Sequence, residues 1–139
     1  MRQYHKLITI PTTGRGCSNI TMQVQSLLQS SGLQSGVVNL LVQHTSCSLM
    51  IQECADPDVL HDMEQFLTKL VADGDPDYHH CNEGDDDMAA HIRMALTHVS
   101  LAIPFVEGRL ALGIWQGIFL YEHRYSSNQR RVVAHLIGE

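Results

Sequence analysis

Residues 37–52 read Val37-Val38-Asn39-Leu40-Leu41-Val42-Gln43-His44-Thr45-Ser46-Cys47-Ser48-Leu49-Met50-Ile51-Gln52. Val37 to Gln43 is rich in Val and Leu, and Ser46 to Gln52 alternates, with Cys47, Leu49 and Ile51 on one face. Both halves read as strands. Only a short polar junction separates them, so the pair lacks the intervening helix of a βαβ unit. Upstream, Gln3 to Ile10 alternates and reads as a strand that Pro11 and Gly14-Arg15-Gly16 end. Ile20, Val24, Leu27 and Leu28 then recur at helical spacing, with Ser18 or Asn19 as the expected cap and Gly32 as the stop. Downstream, Asp56-Pro57-Asp58 starts a helix: an Asp cap, Pro at the first helical position and an acid near the positive end of the dipole. Val59, Leu60, Met63, Phe66, Leu67 and Leu70 give that helix an apolar stripe, and it should end near Val71.

Ala72 to Asp86 reads as a long loop of Asp, Gly and His, and a second, shorter helix is expected over Asp87 to His98. Loops of this length inside a compact domain are usually functional or disordered. The remainder reads as β: Val99 to Phe105, a turn at Val106-Glu107-Gly108, a long strand from Arg109 to Arg124 with bends at Gly113 and Gly117, a turn at Ser126-Ser127-Asn128, and a last strand from Arg130 to Ile137. The order β-α-β-β-α-α-β-β-β argues for an α+β fold with largely antiparallel pairing, and no repeat or linker divides residues 1–139, so one domain is expected.

The 139 residues carry a net charge of −6, with 44% hydrophobic and 17% charged residues. That balance fits an ordinary globular chain. No basic stripe is visible, which argues against nucleic acid as a partner. No apolar run approaches the roughly 18 residues of a membrane span. Cys17, Cys47, Cys54 and Cys81 show no CxxC spacing, and Met1-Arg2-Gln3-Tyr4-His5-Lys6 is not a signal peptide, so a cytoplasmic location with reduced thiols is expected. Acids crowd the stretch from Glu53 to Asp87, where Lys69 is the only base, whereas Arg93, Arg109, Arg124, Arg130 and Arg131 mark the C-terminal third. A solvated acidic face accounts for such bias as readily as a site does.

Four places carry residues suited to chemistry. His44 is followed by the hydroxyl-bearing Thr45 and Ser46 at a strand junction and is suited to ligation or base catalysis, or equally to a satisfied turn. Around the first Asp-Pro helix stand Glu53, Asp56, Asp58, His61 and Asp62; capping explains Asp56, the dipole explains Asp58, and Glu53 has no local role. The loop and second helix bring His79, His80, Glu83, Asp85, Asp86, Asp87 and His91. Imidazole with carboxylate suits zinc, while the oxygen-rich acids suit magnesium with a phosphate completing its shell. Last come Trp115, Gln116 and the arginines; guanidinium matches phosphate oxygens, although solvated sheet-edge charge is the simpler reading. The thiols of Cys47 and Cys54 read as small hydrophobes, and Cys81, between His80 and Asn82, is a minor candidate as a ligand or reactive thiol.

These motifs in combination resemble the YjbQ-type family. The resemblance is carried by Leu41-Val42-Gln43-His44-Thr45-Ser46-Cys47-Ser48-Leu49, Glu53-Cys54-Ala55-Asp56-Pro57-Asp58, His61-Asp62-Met63, Tyr78-His79-His80, Glu83-Gly84, Asp86-Asp87-Met88, His91-Ile92, Gly108-Arg109-Leu110, Trp115-Gln116-Gly117-Ile118 and Glu122-His123-Arg124. It runs nearly end to end. It implies two packed, largely antiparallel β-sheets with three helices, assembling as a trimer around a threefold axis. It also implies a weak thiamine-phosphate synthase activity. Residue by residue, it points to His44, His80 and His91 as an imidazole cluster, to Glu53, Asp62 and Glu83 as nearby catalytic carboxylates, and to Trp115 and Gln116 on the sheet wall. The chain departs from the pattern at Ile114, where Thr is usual, at Cys47, where Ala is common, and at Cys81, which has no usual counterpart. Asn128-Gln129-Arg130-Arg131 stands where the family often has a Gly-x-Arg turn.

Thiamine-phosphate synthesis joins a pyrimidine methyl pyrophosphate to a thiazole phosphate and releases pyrophosphate. The departing charge needs a divalent cation or Arg and Lys. On this reading His44, His80 and His91 hold a divalent metal, zinc or magnesium, and Arg109, Arg130 or Arg131 contacts phosphate. A metal-dependent hydrolase with Glu53 or Asp62 as base would use the same cluster, and a non-enzymatic trimer that binds a metal or small ligand is the third expectation.

Overall fold

The structure, a computed structural model, describes residues 1–139. Eleven elements follow in order: β1 (Arg2–Thr12), β2 (Gly16–Asn19), α1 (Thr21–Ser31), β3 (Gly36–Val42), β4 (Cys47–Glu53), α2 (Pro57–Leu70), α3 (Asp85–Ala95), β5 (Ser100–Val106), β6 (Arg109–Leu110), β7 (Gln116–Glu122) and β8 (Asn128–Gly138). The fold is α+β, with three helices and two antiparallel sheets. The larger sheet has the order β1-β8-β3-β5-β6 and the smaller β2-β7-β4.

The principal core lies between the two sheets and α1. Val24 and Leu28 of α1, Val38 and Leu40 of β3, Leu49 of β4, Ile118 and Leu120 of β7 and Val132 and Leu136 of β8 are all fully or almost fully buried there. A smaller cluster of Met50, Leu67, Phe119 and Tyr121 sits on the other face of the small sheet, beneath α2. The small sheet is therefore covered on both sides. This is why Cys47 to Met50 and Gly117 to Glu122 are buried without alternation, as expected of strands packed on two faces.

Local signals place the helices. Asp56 Oδ1 accepts the Asp58 amide at 2.9 Å, and Pro57 opens α2. Gly32 ends α1 in the left-handed region at φ 66°, which a Cβ disfavours, and its amide donates to the Gln29 carbonyl. The expected side-chain cap of α1 takes a different form: Ile20 is the cap residue, and Asn19 Oδ1 instead accepts the Thr21 amide and hydroxyl in a local turn. The second acidic helix begins two residues earlier than expected, at Asp85, and stops at Ala95; His98 lies beyond it, bridged to Leu49.

Three further expectations are corrected. β1 continues through Pro11 to Thr12, because β1 is an edge strand and Pro needs no ladder partner on its open side. Gly16–Asn19 forms a strand held entirely by β7. The long strand expected over Arg109 to Arg124 is two strands in different sheets: β6 edges the large sheet and β7 is the centre of the small one. The chain turns between them where the Gln116 amide donates to the Gly113 carbonyl at 2.9 Å and Gln116 Oε1 accepts the Gly113 amide at 2.8 Å. Gly117 is required there by close packing, since a Cβ would lie 2.9 Å from that of Cys54.

Candidate metal centre

The β3–β4 junction, the start of α3 and the residues just after β7 meet at one end of the small sheet. The register pairs Cys47 with Glu122 at this end and Glu53 with Gln116 at the other. Asp87 stands in the first turn of α3 with Asp85 and Asp86, where the helix dipole favours acids. His91 lies one turn on, on the same helix face. His80 reaches in from the loop.

The three side chains converge. His80 Nε2 donates to Asp87 Oδ2 at 2.6 Å, and His91 Nε2 lies 3.5 Å from the same oxygen. One ligating atom from each falls within 4.8 Å of the others, and the imidazole centroids are 5.4 Å apart. His91 Nδ1 faces the Thr45 carbonyl at 2.9 Å. A carbonyl only accepts, so Nδ1 carries the proton, and the Nε2 lone pair faces Asp87 and His80. Asp87 itself is only 2% exposed. Burial alone would push its carboxyl up, but the His80 hydrogen bond and the Arg124 charge outweigh it and hold Asp87 below the usual carboxylate value, hence ionised.

Arg124 ties the site to the sheet. Its Nη1 donates to Asp87 Oδ1 at 2.6 Å, Nε to Asp86 Oδ2 at 3.0 Å and Nη2 to the Glu83 carbonyl at 2.8 Å. The Tyr125 amide adds a bond to Asp86. Burial raises Asp86, but that amide and Arg124 hold it low. Beside His80 opens a cleft of about 210 Å³, lined by Pro76, Tyr78, Cys81 and Asp85 among others.

The structure distributes the sequence-derived candidates differently from expectation. His80 and His91 come together as expected, with Glu83 at the rim, 4.0 Å from His80 Nε2. His44 is not in the convergent group. Its Nδ1 accepts the Ser46 amide at 3.0 Å, so the neutral ring carries its proton on Nε2 and presents no free lone pair. Burial and the charge of Arg130 hold His44 below the usual imidazole value. Its segment contributes through the Thr45 carbonyl instead. Asp62 is exposed on α2 and pairs with His61. Glu53, Trp115 and Gln116 gather at the opposite end of the β4–β7 pair, where the Cys54 amide donates to the Trp115 carbonyl and Trp115 is 60% exposed. Six residue steps at ~3.3 Å put that end roughly 20 Å from the His-bearing end. Arg109 lies exposed on edge strand β6. Arg130 is buried and bound by two hydrogen bonds to Glu122, at 2.7 and 2.8 Å, so its guanidinium is not available to a phosphate.

Sequence reasoning included Asp87 among the candidate acids without assigning it as a ligand, and it gave Arg124 no role at the site. The Asp87–His91 spacing of four on a helix was the available signal. For Arg124 there was none short of knowing that β7 ends beside α3.

A second polar cluster lies within the fold. Ser48 Oγ and His123 Nε2 are 2.8 Å apart, and the His123 ring packs tilted against that of Tyr121, with centroids 4.5 Å apart. Tyr121 donates to Glu64, which also receives Arg93 Nη1 at 2.9 Å. His123 and Arg93 are both fully buried, and burial followed by the nearby Arg93 charge lowers the imidazole of His123 to about 3. This cluster joins α2 and α3 to the small sheet.

Comparison with known proteins agrees with this architecture. The family model described as UPF0047 protein YjbQ-like matches residues 6–139. A UPF0047 protein of Synechocystis sp. is 49% identical over 138 residues, covering 99% of this chain and 94% of the relative. The UPF0047 protein YjbQ of Escherichia coli O157:H7 is 41% identical, covering 98% of this chain and 99% of the relative. Among solved structures, a conserved hypothetical protein of Thermus thermophilus superposes with a TM-score of 0.85 at 36% identity, over 95% of this chain and 99% of that one. An uncharacterised YjbQ/UPF0047 protein of Clostridium acetobutylicum gives 0.87 at 32% identity, over the same shares. With nearly the whole chain matched in sequence and fold, the protein belongs to the YjbQ-like UPF0047 family.

Proposed function

We propose that the chain is a metal-dependent enzyme acting on a small phosphorylated substrate, with His80, Asp87 and His91 as protein ligands of a divalent ion. The observation that carries this reading is the convergence of two imidazole nitrogens and one ionised carboxylate oxygen within 4.8 Å, with the His91 tautomer set by the Thr45 carbonyl. Such a nitrogen-rich set suits zinc-class ions better than magnesium. A bound ion would stabilise negative charge developing on an oxygen of the substrate. The chain's own residues orient and exchange protons. Arg124 fixes Asp87, the Thr45 carbonyl fixes the His91 ring, and Glu83 stands at the rim, 4.0 Å from His80, as a carboxylate available to accept a proton.

The family resemblance makes thiamine-phosphate synthesis, with release of pyrophosphate, the first reaction to assign. Hydrolysis at the same centre is the second, and a specific observation favours it. Arg124, which borders the cluster, and the buried Arg130 are both engaged by carboxylates. Neither of these guanidinium groups is free to receive pyrophosphate, whereas hydrolysis needs only the ion, a base and water. The cleft of about 210 Å³ is small for either substrate, compared with the roughly 300–1,000 Å³ of typical ligand pockets. That, together with the uncovered apolar side chains Phe66, Leu70, Leu96, Ile114 and Trp115, supports assembly as a trimer that completes the site. Four free cysteines accord with a cytoplasmic location.

The test is metal content by plasma mass spectrometry on untagged protein, beside His80→Ala and His91→Ala. About one zinc-class ion per chain in the parent, absent from both variants, is expected. Steady-state assays with the two thiamine-precursor phosphates and with simple phosphoesters then separate synthase from hydrolase. A metal-loaded parent that turns over neither is a binding protein. A parent that takes up no ion removes the metal centre altogether.

A further inference from the structure

Asp87 has two carboxylate oxygens, and the structure uses them for different purposes. Oδ2 faces His80 Nε2 at 2.6 Å and His91 Nε2 at 3.5 Å. Oδ1 is held by Arg124 Nη1 at 2.6 Å, on the side away from the imidazoles. Arg124 has no freedom to release it. Its Nε is engaged by Asp86, its Nη2 by the Glu83 carbonyl, and its backbone amide by Glu122 Oε1 at 3.1 Å. Asp86 is in turn held by the Tyr125 amide at 2.8 Å. The guanidinium thus spans the loop that carries His80, the first turn of α3 and the end of β7.

We infer that Arg124 is a positioning residue that sets the metal selectivity of the site, by withholding Asp87 Oδ1 so that the carboxylate offers a single oxygen beside two imidazoles. The inference rests on the metal reading above and adds to it which ion class the site prefers and why. Large or oxygen-preferring ions gain from bidentate carboxylates and high coordination numbers. Zinc-class ions are satisfied by a few ligands that include imidazole nitrogen. With Oδ1 committed to Arg124, the second carboxylate oxygen is denied to the first class at no loss to the second. The fork also neutralises one of the three acids in the first turn of α3, so the local charge does not simply attract any cation. Outer-shell partners of metal ligands commonly contribute 10–100-fold to affinity.

The test compares Zn²⁺ and Mn²⁺ dissociation constants, by competition with a chromophoric chelator, for the full-length parent, His91→Ala, Arg124→Met and Arg124→Lys. The parent should bind Zn²⁺ tightly and His91→Ala should lose it. In Arg124→Met, which is similar in length but has no donor, Zn²⁺ affinity should fall about 10–100-fold, and the Zn²⁺/Mn²⁺ affinity ratio should fall by at least about tenfold as Oδ1 becomes available. A merely structural role would weaken both ions together and leave the ratio unchanged. Arg124→Met with the parent ratio, in a protein whose His91→Ala variant loses zinc, overturns the inference and leaves the metal centre standing. If neither ion binds the parent, the metal reading itself has failed. If Arg124→Met does not fold, Arg124→Lys decides, since Lys keeps the charge but cannot make the three-way fork. A lowered ratio supports the inference, and a parent-like ratio overturns it.

Discussion

His123 should make the protein acid-labile in a defined window. Its ring is fully buried between Ser48 and Tyr121, and burial together with the Arg93 charge lowers its pKa to about 3, against an ordinary value of 6.5. The folded state therefore refuses a proton that the unfolded state accepts. With the folded value depressed, the stabilisation is complete above pH 6.5 and is lost as pH falls from 6.5 towards 3. Each pH unit in that interval is worth about 1.4 kcal/mol, so lowering the pH from 8 to 5 should remove about 2 kcal/mol through this residue alone. The carboxylates held low in the fold, Asp73, Asp86, Asp87 and Glu122, contribute with the same sign. They do so chiefly below about pH 5, where carboxylates titrate in the unfolded chain. The measurement is urea unfolding followed by circular dichroism at pH 8, 6.5 and 5, with a chelator present and at one protein concentration, for the parent and His123→Gln. The other histidines are common to both proteins, so the difference isolates His123. The variant should be less stable at pH 8, by about 1–3 kcal/mol from imperfect pairing with Ser48. It should lose about 2 kcal/mol less than the parent on going to pH 5. Stability curves that stay parallel to within about 0.5 kcal/mol would show that His123 is protonated in the fold and refute the assignment.

The remaining predictions concern other buried groups. Glu64→Ala leaves the fully buried Arg93 guanidinium without its carboxylate and should cost about 3–5 kcal/mol, much of it restored by adding Arg93→Met; denaturant midpoints of the two variants check this. Leu49→Ala, at the centre of the principal core, should cost about 2–5 kcal/mol in the same assay. Burial pushes the thiols of Cys17 and Cys47 up to about 12, so at pH 8 an aromatic disulfide reagent should titrate only the exposed Cys54 and Cys81 in native protein and all four thiols in denatured protein; a fast third thiol would contradict the packing.

Several parts of this molecule were legible before any coordinates. The cap and Pro of α2, the left-handed stop of α1 and the strand pair on either side of His44 each depend on a few adjacent residues. There the chain can be read for position as well as type. β2 was not legible, because four residues from Gly16 to Asn19 carry no periodicity of their own and are a strand only by virtue of pairing with β7. The division of residues 109–124 between two sheets was hidden for a related reason. Both halves have strand chemistry, and the turn at Gly113 is made by a Gln side chain and amide that local propensity does not weigh.

The candidate site divides in the same way. Local chain chemistry supplied its ingredients: a His- and acid-rich segment, an acidic first helical turn, and an Asp and a His spaced four apart on one face. It did not supply the partners. His91 is oriented by a carbonyl 46 residues away and Asp87 by a guanidinium 37 residues away. Arg130 looked free to bind phosphate until the fold paired it, buried, with Glu122. Glu53, Trp115 and Gln116, grouped with the imidazoles by resemblance, are carried to the far end of the β4–β7 pair by its register. Helix caps and strand alternation are settled within a turn or a few residues, by hydrogen bonds to near neighbours. Which donor meets which acceptor across the sheet is settled by packing of the two faces of the β2-β7-β4 sheet, a condition on the whole chain that no single segment contains.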